Sequence, residues 1–184
     1  MVRRLLSEQG SVTDMRVINL PVTPISAEAF APFGRLFSPV GERSFGRPNF
    51  DGWVMPFAAE GPSRLQYVRM RPRDPSVQII ERHLHVTETR QPISGPPCVL
   101  VVGASSDQPP RPEDMIAFDM LGLGIMLHPG TWHSIDAYPR CDTHSDFLFL
   151  SEEATVLELF DGTPVPKRSQ VHNLAAGGIR LTFS

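Results

Sequence analysis

Residues Gln78–Gly95 read QIIERHLHVTETRQPISG, and the alternation of this stretch decides what kind of fold the chain can make. His83 and His85 stand at i and i+2; successive strand side chains point to opposite faces, so a strand here projects both imidazoles from one side. Ile79 and Glu81 share that side, while Ile80, Arg82, Leu84 and Val86 take the other. The histidine side is polar and the reverse side mostly apolar. A polar face turned into a barrel leaves the apolar face needing a second layer, from a neighbouring sheet or a second subunit, which motivates the expectation of a homodimer. Further on, Leu127–Ile135 reads LHPGTWHSI, where His128-Pro129-Gly130 makes a turn and Thr131-Trp132-His133 leads out of it. If His133 faces the first pair, three neutral imidazoles converge, which suits a divalent transition metal with positions open to a substrate.

The rest of the composition narrows the class. At 184 residues, with 41% hydrophobic and 20% charged residues, the chain is of ordinary globular make-up. Its formal charge of −3 gives no electrostatic case for nucleic acid or an anionic membrane, so the expected partner is a small molecule. Cys98 and Cys141 are far apart, with neither CxxC nor metal-ligand spacing, which fits a reducing compartment. No apolar run approaches bilayer length, and the opening MVRRLLSEQGSVTDM offers only Leu5-Leu6 where a signal peptide needs a long apolar core. A cytoplasmic location is expected. Residues 1–14 read as a flexible arm and 15–184 as one domain.

Nineteen prolines and 14 glycines cut the chain into short segments and nearly exclude long helices. The best helix candidate runs from Ser26 to Phe33: Ser26 is placed to cap it, Glu28 lies in the first turn, and Pro32 and Gly34 end it. Strands are expected at Arg16–Leu20, Arg35–Ser38, Leu65–Met70, Val77–Val86, Cys98–Val102, Met115–Asp119, Gly124–His128, Asp146–Leu150, Thr155–Phe160 and Ile179–Phe183. Between Gly41 and Gly61 lies an aromatic-rich stretch, read as an ordered loop or irregular hairpin of the kind that walls a pocket. Short strands at this spacing predict an all-β barrel or sandwich.

Two resemblances sharpen that expectation. His83, His85, Glu88 and Gly95, followed by Pro129-Gly130 and His133, resemble the two signatures of the cupin superfamily, although only two residues separate His85 from Glu88 where a typical cupin has three or four. The opening LPVTPISAEAFAPFGRLF, then Glu81-Arg82-His83, Thr87-Glu88, Pro92, His128 with Trp132-His133, and Asp146-Phe147-Leu148 resemble the ureidoglycolate lyase family, in order and spacing, from about Arg16 to Glu152. Glu88 stands where that family has glutamine, and Arg90-Gln91 where it has an aromatic residue and isoleucine. The resemblance implies a cupin jelly-roll β-barrel with a short N-terminal helix, and an enzyme that splits ureidoglycolate into glyoxylate and urea during allantoin breakdown.

On that reading His83, His85, His133 and Glu88 are the candidate ligands of a divalent metal, with zinc, nickel, manganese and iron all compatible. A metal could chelate the substrate's carboxylate and hydroxyl, and His128 or Glu88 could take the hydroxyl proton. Arg82 is a further catalytic candidate; Arg90, Trp132 and Asp146 are candidates for holding substrate. Each has a plainer reading. His128 could hydrogen-bond its own turn, Trp132 could be core, and Asp146 could serve a structural hydrogen bond. Arg69, His144 and His172 read as surface residues. Two other functions fit the same pattern: a metal-dependent oxygenase or isomerase on another small acid, and a cupin that binds a small molecule without catalysis.

Overall fold

Proline and glycine punctuation produces many short strands. The computed structural model describes residues 17–39, 41–160, 167–174 and 178–183, and the arm expected over residues 1–14 lies outside them. In chain order the first elements are β1 (Ile18–Pro24), α1 (Ala27–Phe30), β2 (Gly34–Leu36), β3 (Phe45–Arg47), β4 (Phe50–Gly52), β5 (Ser63–Met70), β6 (Ser76–Val77) and β7 (Ile79–His83). They continue with β8 (Glu88–Ser94), β9 (Cys98–Gly103), β10 (Ile116–Asp119), β11 (Ile125–Leu127), β12 (Trp132–Ser134), β13 (Tyr138–Pro139), β14 (Ser145–Glu152), α2 (Glu153–Phe160), β15 (Ser169–Asn173) and β16 (Ile179–Thr182). Ser26 does cap α1, its Oγ accepting from the Ala29 N–H at 3.1 Å, and the helix buries Phe30. The aromatic stretch contains the β3–β4 hairpin, whose Phe45 and Phe50 meet edge-on but stay exposed, so they do not wall the barrel interior.

Residues Thr155–Phe160 correct the sequence reading: they form most of α2, not a strand. The β-branched and aromatic composition of TVLELF suggested a strand. Burial follows helical spacing instead, with Glu152, Thr155 and Val156 buried and Leu159 half-buried at i, i+3, i+4 and i+7.

Two sheets face each other in a jelly-roll of the cupin type. The larger runs β15-β7-β12-β9-β10-β1-β16-β6, with β13 beside β9; the smaller runs β2-β11-β8-β14-β5. Between them lies a core that takes Leu100, Val102 and Phe118 from the larger sheet, Ile125, Leu127, Phe147 and Phe149 from the smaller, and Phe30 and Phe33 from the α1 region.

The apolar back of β7 is covered from within the chain. β1 changes partners midway: Ile18–Pro21 pair in parallel with β16, then Val22–Pro24 pair in parallel with β10. This lets β16 and β6 contribute Ile179, Leu181 and Val77 to a second cluster with Ile80, Val99, Val101, Ala117 and Trp132. Ile80 is fully buried there. The second layer that suggested another subunit is therefore supplied by the protein itself.

Candidate active site

The key stretch is not one strand. β7 ends at His83, the chain bends through Leu84–Thr87, and β8 starts at Glu88 in the opposite sheet. Leu84 N–H donates to Arg168 O and Thr87 N–H to Ala58 O, so the bend is held from both sides. Alternation along β7 turns Glu81 and His83 inward, and β12 pairs His133 opposite Glu81, which aims His133 the same way. The proline-glycine turn before β12 is docked on the first segment by Gly130 N–H, which donates to His83 O at 2.7 Å. Gly130 has φ +84°, and a Cβ there would lie 2.5 Å from Ser105 Oγ, so the turn needs glycine. From the other sheet β8 sends in Glu88 and Arg90, again at i and i+2.

Glu81, His83, Glu88, Arg90 and His133 thus meet inside the barrel, none more than 7% exposed. The two imidazole rings lie edge to face with centroids 5.2 Å apart. His83 uses both nitrogens: Nε2 lies 3.0 Å from Glu88 Oε2, and Nδ1 lies 3.0 Å from Ser169 Oγ. Arg90 Nε donates to Glu88 Oε1 at 2.6 Å, and its Nη1 to Ser134 O at 3.4 Å. His133 Nδ1 donates to Thr131 O at 2.9 Å, which turns Nε2 toward the carboxylates. That Nε2 is buried without a hydrogen-bond partner among the described residues, 3.6 Å from Glu81 Oε1 and 3.9 Å from Glu88 Oε1.

Charge couples these groups. Burial pushes the Glu88 carboxyl up, but the Arg90 charge and the His83 hydrogen bond outweigh it and hold it well below the usual carboxylate range. Glu81 is also lowered: its burial is outweighed by His133 and by the charge of His83. Burial disfavours a charged His83, yet its bond to Glu88 and the two carboxylate charges prevail and raise its pKa.

A ring nitrogen buried beside two carboxylates calls for a cation among them, a proton or a metal. Glu81, His83 and His133 each offer one ligand atom, all within 4.8 Å of one another. Two imidazoles and a carboxylate are a donor set for zinc, iron, nickel or manganese, so these residues fit a divalent metal.

The structure brings only some of the residues expected from the sequence into this cluster. His85 does not share a face with His83, because the strand stops at His83; its ring is exposed, with Nδ1 3.1 Å from Glu60 Oε1. Arg82 points to the other side of β7, where Nε donates to Gln170 Oε1 at 2.9 Å and the guanidinium lies 4.9 Å over the Trp132 ring. Trp132 belongs to the back cluster, one residue out of phase with His133. Asp146 is held by Arg69, at 2.7 and 3.0 Å, and by Ser94 Oγ, at 3.0 Å. His128 is half-buried and tied through its backbone, N–H to Phe33 O and O from Thr131 N–H. Glu81 and Ser169 join the cluster without having been among the candidate site residues. Alternation from His83 was enough to find Glu81, whereas Ser169 is brought in by the pairing of β15 with β7, which no motif marks.

The ureidoglycolate lyase family profile matches residues 17–161, a span that contains β7, β8 and β12. The chain belongs to the ureidoglycolate lyase family. Its relatives include "Ureidoglycolate lyase 2" of Rhizobium meliloti (strain 1021), 28% identical over 131 residues that cover 65% of this chain and 78% of the relative. "Ureidoglycolate lyase" of Azotobacter vinelandii (strain DJ) is 28% identical over 169 residues, covering 78% and 98%. Four of the five charged or titratable residues that meet in the barrel lie on the inward faces of β7 and β8, and His133 on β12 completes the set within the family span.

Proposed function

We infer that the protein is a carbon–nitrogen lyase that splits ureidoglycolate into glyoxylate and urea in allantoin breakdown. The observation that carries this reading is the meeting of His83, His133, Glu81, Glu88 and Arg90 in one closed interior within the family match. Ureidoglycolate bears a hydroxyl, a carboxylate and a ureido nitrogen on one carbon. Arg90, whose two hydrogen bonds leave Nη2 for a ligand, is the counter-charge for the substrate carboxylate and orients it by a charge-assisted pair. Glu88, held through Oε1 by Arg90, takes the hydroxyl proton on its other oxygen. The electron pair left on oxygen by the O–H bond forms the C=O bond of glyoxylate, the C–N bond breaks with its pair on nitrogen, and the proton passes from Glu88 to the departing urea nitrogen. A carboxyl with a lowered pKa is a weak base but a ready acid, which suits the second half of this transfer. Burial keeps water away, so elimination is favoured over hydrolysis of the ureido group.

Glu81, His83 and His133 would hold a divalent transition metal, which when bound polarises the substrate hydroxyl and lowers its pKa. A reducing, cytoplasmic setting suits two cysteines that are both free, one buried and one exposed. No helix among the described residues is long and apolar enough to cross a membrane.

The test is to incubate protein of defined metal content with ureidoglycolate and follow glyoxylate and urea. Equimolar products are expected. Glu88→Gln should lower kcat by at least about 100-fold, as loss of a positioned proton-transfer group does, and His133→Ala should lower it comparably by removing one donor of the metal set. His85→Ala, outside the cluster, should leave kcat unchanged. Full turnover by the His133 variant would defeat the assignment.

A further inference from the structure

β15 lies beyond residue 161, where the family match ends, yet it delivers a side chain to the site. Ser169 is 1% exposed, stands opposite His83 in the β15–β7 register, and places Oγ 3.0 Å from His83 Nδ1. The approach to β15 is fixed just before that residue. The N–H groups of Lys167 and Arg168 both donate to the Glu158 carboxylate at 2.9 Å, Arg168 O accepts from Leu84 N–H at 2.8 Å, and Arg168 Nη1 reaches Glu152 Oε2 at 2.6 Å. These contacts anchor Ser169 to α2 on one side and to the bend after β7 on the other.

We propose that Ser169 is a positioning residue of the active site, whose hydroxyl holds the His83 ring from behind and keeps Nε2 aimed at Glu88 and the interior. The proposal rests on His83 belonging to the working site, as read above. A serine hydroxyl can donate or accept, and the two nitrogens of a neutral imidazole always differ in role. While Nε2–H is shared with Glu88, Ser169 O–H donates to the bare Nδ1. When Nε2 offers its lone pair to a ligand, Nδ1 carries the proton and Ser169 accepts it. One hydroxyl therefore supports both tautomers without moving the ring. Alanine supports neither, and a partner that could only accept would lock the ring in one tautomer.

The experiment compares Ser169→Ala and Ser169→Thr with the parent, in the full chain, by two readouts. Imidazole nitrogen NMR on metal-free protein reports the His83 tautomer directly, and steady-state kinetics with ureidoglycolate separates kcat from KM. In the alanine variant the His83 nitrogen signals are expected to move, and kcat to fall about 10–100-fold, the usual range for losing a partner behind a functional imidazole, with KM near the parent value. Ser169→Thr, which keeps a hydroxyl, is expected to recover both. Unmoved His83 signals in a folded alanine variant overturn the proposal, and so does a kcat equal to the parent's. If the parent itself does not turn over ureidoglycolate, the functional reading fails separately, and the nitrogen signals alone decide whether Ser169 sets the His83 ring.

Discussion

Glu88 sits between a guanidinium and an imidazole, and removing either neighbour has different consequences. Arg90 is 1% exposed, bonded to Glu88 and stacked 4.8 Å over the Phe149 ring, so Arg90→Ala strips a buried carboxylate of its main counter-charge. Breaking a buried pair from one side costs roughly 3–5 kcal/mol, because the surviving charge is left without compensation. Urea unfolding of Arg90→Ala should show a loss of that order, and the double variant Glu88→Gln/Arg90→Ala should regain part of it. An additive double variant would mean that the two side chains do not share the interaction. The same pair explains how the site tolerates an extra acid beside an anionic substrate: the arginine two residues along the strand neutralises it.

Among the elements, β14 is tied to both of its neighbours through one side chain. Asp146 accepts from Arg69 on β5 and from Ser94 on β8. Arg69, with Tyr67 and Ser94 adding to it, holds the Asp146 carboxyl well below the usual carboxylate range. A carboxyl lowered in the folded state contributes stability that is full above its unfolded pKa of about 3.9 and is lost as pH falls toward the folded value. Thermal melting of Asp146→Asn should therefore match the parent most closely at the acid end, fall behind it as pH rises toward about 4, and stay behind by a constant margin above that. A constant difference at every pH would rule this linkage out. How much was legible in the sequence divides along the same lines. The Ser26 cap, the period-two pattern of β7 and the Pro129-Gly130 turn are local and could be read from residues alone. His85 could not be placed, because whether a strand continues past His83 depends on where β8 must begin to reach the opposite sheet. Thr155–Phe160 has strand composition, and its burial at helical spacing from Glu152 onward, not its residue types, is what marks the helix. Ser169 owes its place to a register between segments far apart in sequence, which periodicity does not encode.

At the scale of the molecule, the back of the large sheet is closed by the chain itself, but the outer face of the smaller sheet is not covered by the described residues. By alternation and register Leu65, Tyr67 and Ile93 share that outer face and are 65%, 59% and 47% exposed. Our proposal of a homodimer now rests on this face, which a second copy would cover. Sedimentation should give twice the chain mass, and Leu65→Glu/Tyr67→Glu should shift it to one chain mass without loss of fold. A parent that sediments as a single chain at micromolar concentration would remove the proposal. A cleft of about 280 Å³ beside Arg35 and Trp53, and one of about 380 Å³ beside Arg73 and Arg140, are lined by no residue of the histidine cluster.

The partner exchange within β1 also governs when the protein can finish folding. β1 is made well before its partner, because Ile18–Pro21 wait for the distant segment Ile179–Thr182 to pair with. Until then Ile80, Val99 and Val101 have no lid, and a nascent chain carries a bare apolar sheet that invites chaperones or aggregation. Ser169 emerges in that same late interval, so the chemistry and the closure of the fold are completed together.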